Sequence, residues 1–328
     1  MSVVYGDDKI PYIDLGSDYK IRLEYEDIVD EKYLTKAKEE LRETPENKAQ
    51  GIKELRELVQ NEKNFVHPME DSFLETYLRP CKYYAASAHQ KMQKFFKFKE
   101  KHKKICENIT VDSIRNVLED DLLKYLPLRD KEGRRILYIH SGKNWNPQRA
   151  STHDLFRAMQ LSLQAAMAEP MTQVNGVCAI VDVEGLSIGQ IMHFTPSYAA
   201  MILEWTQECI PIRLKQIYIV NNSYIFNMLF AIFKPFISAK LRKRIHFINK
   251  KYDVLTDQLG KFCLSEHLGG DLPVDYVDGK VLADLLKLFD TQFELIGISG
   301  YVSDEEYEER KQKVEEGAKE VLNYISPK

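Results

Sequence analysis

The chain has 328 residues, is 44% hydrophobic and carries a formal net charge of −4. That apolar content suffices for a sizeable core, in one large domain or a large one with a smaller companion. The acidic balance argues against a dedicated nucleic-acid binder, so any anionic partner must be met by a local basic patch. No stretch reaches the roughly 18 uninterrupted apolar residues needed to span a bilayer. Met1 to Pro11 lack the basic segment and apolar run of a secretory signal. The cysteines (Cys81, Cys106, Cys178, Cys209 and Cys263) are odd in number, far apart and without a CxxC pair. Neither a disulfide framework nor a zinc site is expected from them. The expectation is a cytoplasmic protein with no metal and no cofactor.

Residues 1–34 read as an irregular extension, with Pro11, Gly16 and scattered acids. From Leu34 the pattern becomes helical: Leu41, Ile52, Leu55, Leu58 and Val59 recur at three- and four-residue spacing. Thr44-Pro45-Glu46-Asn47 offers an N-cap, a proline at the first helical position and a capping-box-like spacing. Phe73, Leu74, Tyr77 and Leu78 predict a further helix closed by Pro80, and Met92, Phe95, Phe96 and Phe98 predict another. A small all-α domain is expected over 35–108.

Over 109–275 short apolar runs at 135–139, 177–181, 216–220 and 245–248 alternate with helical spacing at 151–168, 196–209 and 224–241. Asp130-Lys131-Glu132-Gly133 is a turn into the first of these strands. Such alternation builds β-α-β units, hence an α/β domain with a mostly parallel sheet flanked by helices. After Gly269-Gly270 the chain turns acidic, and a C-terminal extension over 276–328 ends in a helix near 305–324.

One helix is too apolar to be ordinary. Residues 224–233 (YIFNMLFAIF) are apolar on nearly every helical face, and Pro235 ends or kinks the run. Such a helix is either wholly buried or touches something apolar. Lys240, Arg242, Lys243, Arg244 and His246 follow at once, and Arg213 and Lys215 bracket the start of the third strand. Aromatics beside cations suit an anionic membrane interface, where rings insert and cations meet phosphates. The lysines from Lys91 to Lys104 read instead as a solvated helix face.

Residues 185–189 (GLSIG) are a literal GxSxG after a predicted strand, which in an α/β-hydrolase exposes a serine nucleophile, here Ser187. Three features oppose that reading. Thr195-Pro196 marks a fresh helix start well beyond the serine. Asp182 and Glu184 place negative charge where an oxyanion would form. No HGGG-type run lies upstream.

Several stretches occur in the order found in the CRAL-TRIO lipid-binding proteins: 128–134 (LRDKEGR), 182–186 (DVEGL), 194–197 (FTPS), 225–236 (IFNMLFAIFKPF), 240–246 (KLRKRIH) and 268–273 (LGGDLP). Over about 35–275 the chain resembles that family, on the branch of the tocopherol and retinaldehyde carriers and their insect relatives. The resemblance implies a non-enzymatic carrier whose apolar pocket over the sheet is closed by a mobile helix. Ile225, Leu229 and Ile232 match gate positions, with Ile188 and Met192 across the opening. Pocket-wall positions would be Met159, Gln160, Leu163, Val177, Val181, Ile202, Trp205, Thr206 and Ile212. Arg213, Lys215, Lys240 and Arg244 match basic positions for phosphoinositide headgroups, and Arg79 matches a fifth. Implied partners are a small hydrophobic ligand and an anionic membrane surface, with no nucleic acid, for a monomer. Asn221-Asn222-Ser223 and Pro80-Cys81-Lys82 depart from the family pattern. Met159 and Leu163 replace pocket serines, which makes that wall more apolar. The rival is an adaptor that keeps the fold without a ligand.

Overall fold

The computed structural model describes residues 2–273 and 277–325, so the expected domain boundary at 275 lies outside the described residues. The first residues depart from their reading as irregular. β1 (Val3–Tyr5), β2 (Pro11–Gly16) and β3 (Tyr19–Ile21) form an antiparallel sheet in that order. β1 and β3 carry too few residues for an alternation signal, and β2, six residues long, opens on Pro11 and ends on Gly16, which read as loop residues. Ile13, Ile21 and Leu23 nonetheless enter the main core.

Four helices follow: α1 (Glu31–Leu41), α2 (Pro45–Gln60), α3 (Asp71–Leu78) and α4 (Ala85–Lys101), with β4 (Phe65–Val66) between α2 and α3. The Thr44 hydroxyl oxygen accepts the Asn47 N–H at 3.2 Å and starts α2. Pro45 fits there because its missing N–H would have had no partner. Leu55, Leu74, Met92, Phe95 and Phe96 close an apolar cluster among these helices, whereas Phe98 belongs to the main core.

Short helices α5 (Lys103–Cys106) and α6 (Arg115–Glu119) lead to the central sheet. Its strands are β5 (Leu123–Tyr125), β6 (Arg135–His140), β7 (Val177–Asp182), β8 (Leu214–Val220) and β9 (Ile245–Asn249), in sequence order across the sheet. β6 to β9 run parallel, and β5, an addition to the expected strands, pairs antiparallel with β6. α7 (Thr152–Met167) and α8 (Pro170–Asn175) connect β6 to β7. α9 (Ile188–Ile191) and α10 (Pro196–Glu204) connect β7 to β8. α11 (Tyr224–Phe233) and α12 (Ala239–Arg242) connect β8 to β9. One sheet face, with Ile136, Tyr138, Cys178, Ile180 and Tyr218, is covered by Leu255 and Leu259 of α13 (Tyr252–Leu259). The other looks toward α7, α10 and α11.

The C-terminal segment folds back over both regions as α14 (Gly279–Lys287), α15 (Asp290–Ile298), β10 (Gly300–Tyr301) and α16 (Tyr307–Ile325). β10 pairs with β4, and Leu285 and Phe293 enter the main core.

A buried charge cluster binds the N-terminal segment to the sheet. Glu169, at the N-cap of α8, is 0% exposed and pairs with Arg135 of β6 and, at 3.1 Å, with Arg129. The Thr172 hydroxyl donates to it at 2.6 Å, and the Glu24 backbone N–H at 3.1 Å. Burial pushes the Glu169 carboxyl pKa up, and Arg135 and Arg129 outweigh it, so the net shift is downward. A depressed carboxyl contributes stability above its unfolded value of about 4.3, lost as pH falls through the folded value. Glu169→Ala leaves two buried guanidiniums sharing the single, partly exposed carboxylate of Glu24, which costs about 3 kcal/mol in denaturant unfolding at neutral pH. The variant should also lose less further stability in acid than the wild type. A cost near zero contradicts the assignment.

Candidate functional site

α11 lies over the sheet with only part of its surface covered. Phe226 and Leu229 are buried against Val183, Leu186, Ile191 and Ile219, while Ile225, Phe230, Ile232 and Phe233 are partly buried. Phe226 and Phe230 also meet Phe247 of β9, with ring centroids 6.1 and 5.1 Å apart. The outer face leaves Tyr224 80% and Met228 44% exposed. Pro235 sits in a 3-10 turn, Lys234–Phe236, that ends the helix.

The sheet beneath is not closed off. Val181 and Ile217 lie on β7 and β8, strands with neighbours on both sides, yet both keep partial exposure. A parallel sheet packed on both faces normally buries such residues. Phe194, Ile202 and Phe233 are likewise only partly buried on this side. Toward β6 a cavity of about 100 Å³ is lined by Leu123, Ile139, Leu155, Phe156, Met159 and Ile202, among others.

Sequence-derived pocket positions distribute around this space. Met159 and Ile202 line the cavity. Val181, Ile225, Leu229 and Ile232 belong to the cluster between sheet and α11. Leu163 and Val177 are enclosed in the main core. Gln160 and Trp205 are buried too, and the Nε2 of one and the Nε1 of the other lack a protein acceptor. Four positions depart from expectation. Ile188 and Met192 stand 55% and 79% exposed, and Ile191 is the α9 residue that packs beneath α11. Gln190 sets that rotation by donating to Gly142 O at 2.8 Å and Trp145 O at 2.6 Å. Thr206 donates its hydroxyl to Ile202 O at 2.8 Å, and it borders, with Ile212, a different cavity.

That second cavity is a basic cleft of about 490 Å³. It is lined by Arg213, Lys215, Lys240 and Arg244 together with Lys82, Lys91, Gln207 and Ser238. Glu40 of α1 pairs with Arg213 and lies 3.4 Å from Lys215 Nζ. Glu208, also in the cleft wall, is taken by Lys94 at 2.8 Å. Arg244 donates to Leu214 O. Burial, then the charge of Arg213, lowers the pKa of Lys215, and the same causes lower that of Arg244. The cleft therefore holds a surplus of positive charge, which an anion would relieve.

Arg79 is absent from this group. It is 5% exposed, pairs with Glu43 at 2.8 Å and Glu75 at 3.6 Å, and donates to Gln173. Burial opposes its charge, and Glu43 more than compensates. Its charge is spent on joining α3 to α8. Lys82 stands at the cleft instead, with Lys91, which the sequence had assigned to a solvated helix face.

Ser187 is a helix cap. Its hydroxyl oxygen accepts the Gln190 N–H at 3.3 Å and its O–H donates to Gln190 Oε1 at 3.0 Å. His246 bonds Gln216 at 2.7 Å, and His267 bonds Ser265 at 2.9 Å and Tyr138 at 3.3 Å. Thr195 caps α10, the fresh helix start that opposed the nucleophile reading. Ser187→Ala should lower stability by about 1 kcal/mol through the lost cap. A fluorophosphonate probe should leave the wild type unlabelled, and labelling that Ser187→Ala abolishes would contradict this.

Among the described residues no helix is long and apolar enough to cross a membrane. The CRAL/TRIO domain family matches residues 120–270. The chain is 30% identical over 241 residues to an alpha-tocopherol transfer protein-like protein of Homo sapiens, covering 73% of this chain and 70% of that one. It is 30% identical over 244 residues to clavesin-1 of Rattus norvegicus, covering 73% and 68%. Among solved structures, the crystal structure of Sfh5 superposes with a TM-score of 0.48 at 14% identity, over 83% of this chain and 99% of that one. By the matched domain and its identity to the tocopherol-transfer-like and clavesin proteins, the chain belongs to the CRAL/TRIO family of lipid-binding and lipid-transfer proteins.

Proposed function

We propose that the protein encloses one small hydrophobic molecule of tocopherol, retinoid or carotenoid kind between the sheet and α11. It exchanges that molecule at phosphoinositide-containing membranes, working as a cytoplasmic monomer without catalysis. The observation that carries the reading is an adjacency. A half-covered apolar helix with Tyr224 and Met228 outward runs directly into the chain that supplies Ser238 and Lys240 to a surplus-positive cleft. Aromatic and aliphatic side chains can enter the interface while the cations meet phosphates. Arg213, Lys215, Lys240 and Arg244, at about 1 kcal/mol each, supply about 4 kcal/mol of membrane attraction. That suits transient docking.

Burying about 400–500 Å² of apolar ligand surface is worth on the order of 10 kcal/mol against water. A bilayer offers the same refuge, so most of this cancels during exchange. Selectivity then falls to shape and to a few polar contacts, for which buried polar side chains such as Gln160 are the candidates.

Reversing Lys240 and Arg244 to Glu should weaken binding to phosphoinositide liposomes by at least about 30-fold, while ligand affinity in solution stays near wild type. Unchanged docking would remove the cleft from the mechanism. Ile225→Asp with Leu229→Asp should abolish retention of a co-purified lipid, measured by mass spectrometry of an organic extract. Wild-type protein that yields no lipid and takes up none would favour the adaptor reading.

A further inference from the structure

The helix containing α10 does not end as an α-helix. Its last five residues, Trp205–Cys209, form a π-turn. Such turns are rare and cluster where an element has to present a particular side chain. Here the widened turn keeps Trp205 in the core and lays Gln207 along the wall of the basic cleft.

The Gln207 carboxamide bonds in both directions to the chain leaving α11. Its Oε1 accepts the Ser238 N–H at 2.8 Å, and its Nε2 donates to Phe236 O at 3.1 Å. Nε2 also donates to Leu203 O at 3.0 Å, one turn back in its own helix, which fixes the direction of the side chain. Between the bonded residues Ile237 is buried with Leu203 and Leu241. The end of α11 is thereby tied to the last turn of the helix that contains α10.

The pinned segment and the cleft share residues. Ser238 and Lys240 line the cleft together with Gln207 itself. An anion drawn between Arg213, Lys215 and Lys240 pulls Lys240 inward, and Ser238, two residues before it, must follow. The same anion lies against Gln207, whose amide N–H groups it can claim from Phe236 O. A charged acceptor makes the stronger hydrogen bond.

We infer that Gln207 is a positioning residue, a latch that holds α11 down while the cleft is empty and releases residues 236–238 when inositol phosphates fill it. The inference rests on the docking reading above, and it adds the residue through which docking opens the gate.

Hydrogen–deuterium exchange of the full chain tests it, in buffer, with phosphatidylcholine vesicles containing phosphatidylinositol 4,5-bisphosphate, and with soluble inositol 1,4,5-trisphosphate. Gln207→Leu keeps the volume and deletes both bonds. Ser238→Pro removes the N–H from the other side: Ser238 has φ −64°, which proline adopts, and Ile237 before it is extended. Ser238→Pro also loses the hydroxyl that caps α12, a change Gln207→Leu does not share.

In the wild type, amides of 224–238 should exchange slowly in buffer and faster on the vesicles. In both variants they should exchange faster already in buffer, roughly 10-fold in Gln207→Leu, which deletes both neutral bonds to the chain leaving α11, and less in Ser238→Pro, which deletes one. Exchange in β6, β7 and β8 should match the wild type. Acceleration by the soluble trisphosphate as well means that phosphates alone trip the latch; acceleration by vesicles alone assigns it to the headgroup in its bilayer. Wild-type exchange over 224–238 in both variants overturns the latch, and so does faster exchange throughout the chain. If the wild type fails to bind the vesicles, the docking reading falls, whereas the latch is still judged by the comparison in buffer.

Discussion

Within α11 the Tyr224 hydroxyl and the Asn227 amide are the side-chain groups that can hydrogen-bond to water, yet one face of the helix is open to it. A helix of this composition gains by burial at roughly 25 cal/mol per Å² wherever apolar surface is offered. The fold offers some but not all: Val183, Ile191 and Ile219 cover one side, Phe247 another, and Tyr224 and Met228 are left out. On the proposed function, partial cover is a compromise between two resting places, protein and bilayer. The incomplete burial of Val181 and Ile217 beneath belongs to the same compromise, since a tightly filled interface would fix the helix for good.

Firmly tied parts surround α11. Glu169 locks β6, α8 and the N-terminal chain through two guanidiniums. At the start of α11, Asn221 is held by a donation from its Nδ2 to Asp182 at 2.9 Å and by the Tyr252 hydroxyl at 2.6 Å. Asn221 takes φ 55°, a left-handed conformation that asparagine tolerates, so the chain turns sharply out of the sheet there. The opposite end relies on Ile237 and on neutral hydrogen bonds to Gln207. The two ends differ in strength, and the weaker one borders the basic cleft.

Sequence reading recovers what local patterns encode. The strands from β6 to β9 stand out because β-branched runs alternate with helical spacing, and α2 and α10 begin at the Thr-Pro caps that announce them. The apolar helix and the cations after it are visible for the same reason: both are contiguous in the chain. Other features depend on residues far apart in sequence. Arg79 spends its charge on Glu43 and Gln173, neither of which is a helical neighbour. Lys82 and Lys91 reach the cleft because α3 and α4 pack against the π-turn side of the sheet domain, and no spacing rule brings them to Arg213. Ile188 and Met192, assigned through the resemblance, stand exposed because Gln190, bonded to Gly142 O and Trp145 O, decides which side of α9 faces in. β1, β3 and β5 were missed because three residues do not make an alternation, and β2 because Pro11 and Gly16 bound it as they would a loop.

The distance between α9 and α11 is the quantity on which the account turns. Nitroxide labels at Met192 and Met228, both exposed, report it by pulsed electron–electron resonance without disturbing the packed side of either helix. The account predicts one short distance in buffer and a second, longer one that grows in on phosphatidylinositol 4,5-bisphosphate vesicles and vanishes when the protein is eluted from them. A single unchanged distance, with the protein demonstrably bound to the vesicles, would mean that α11 is fixed filling and that the protein has no gate.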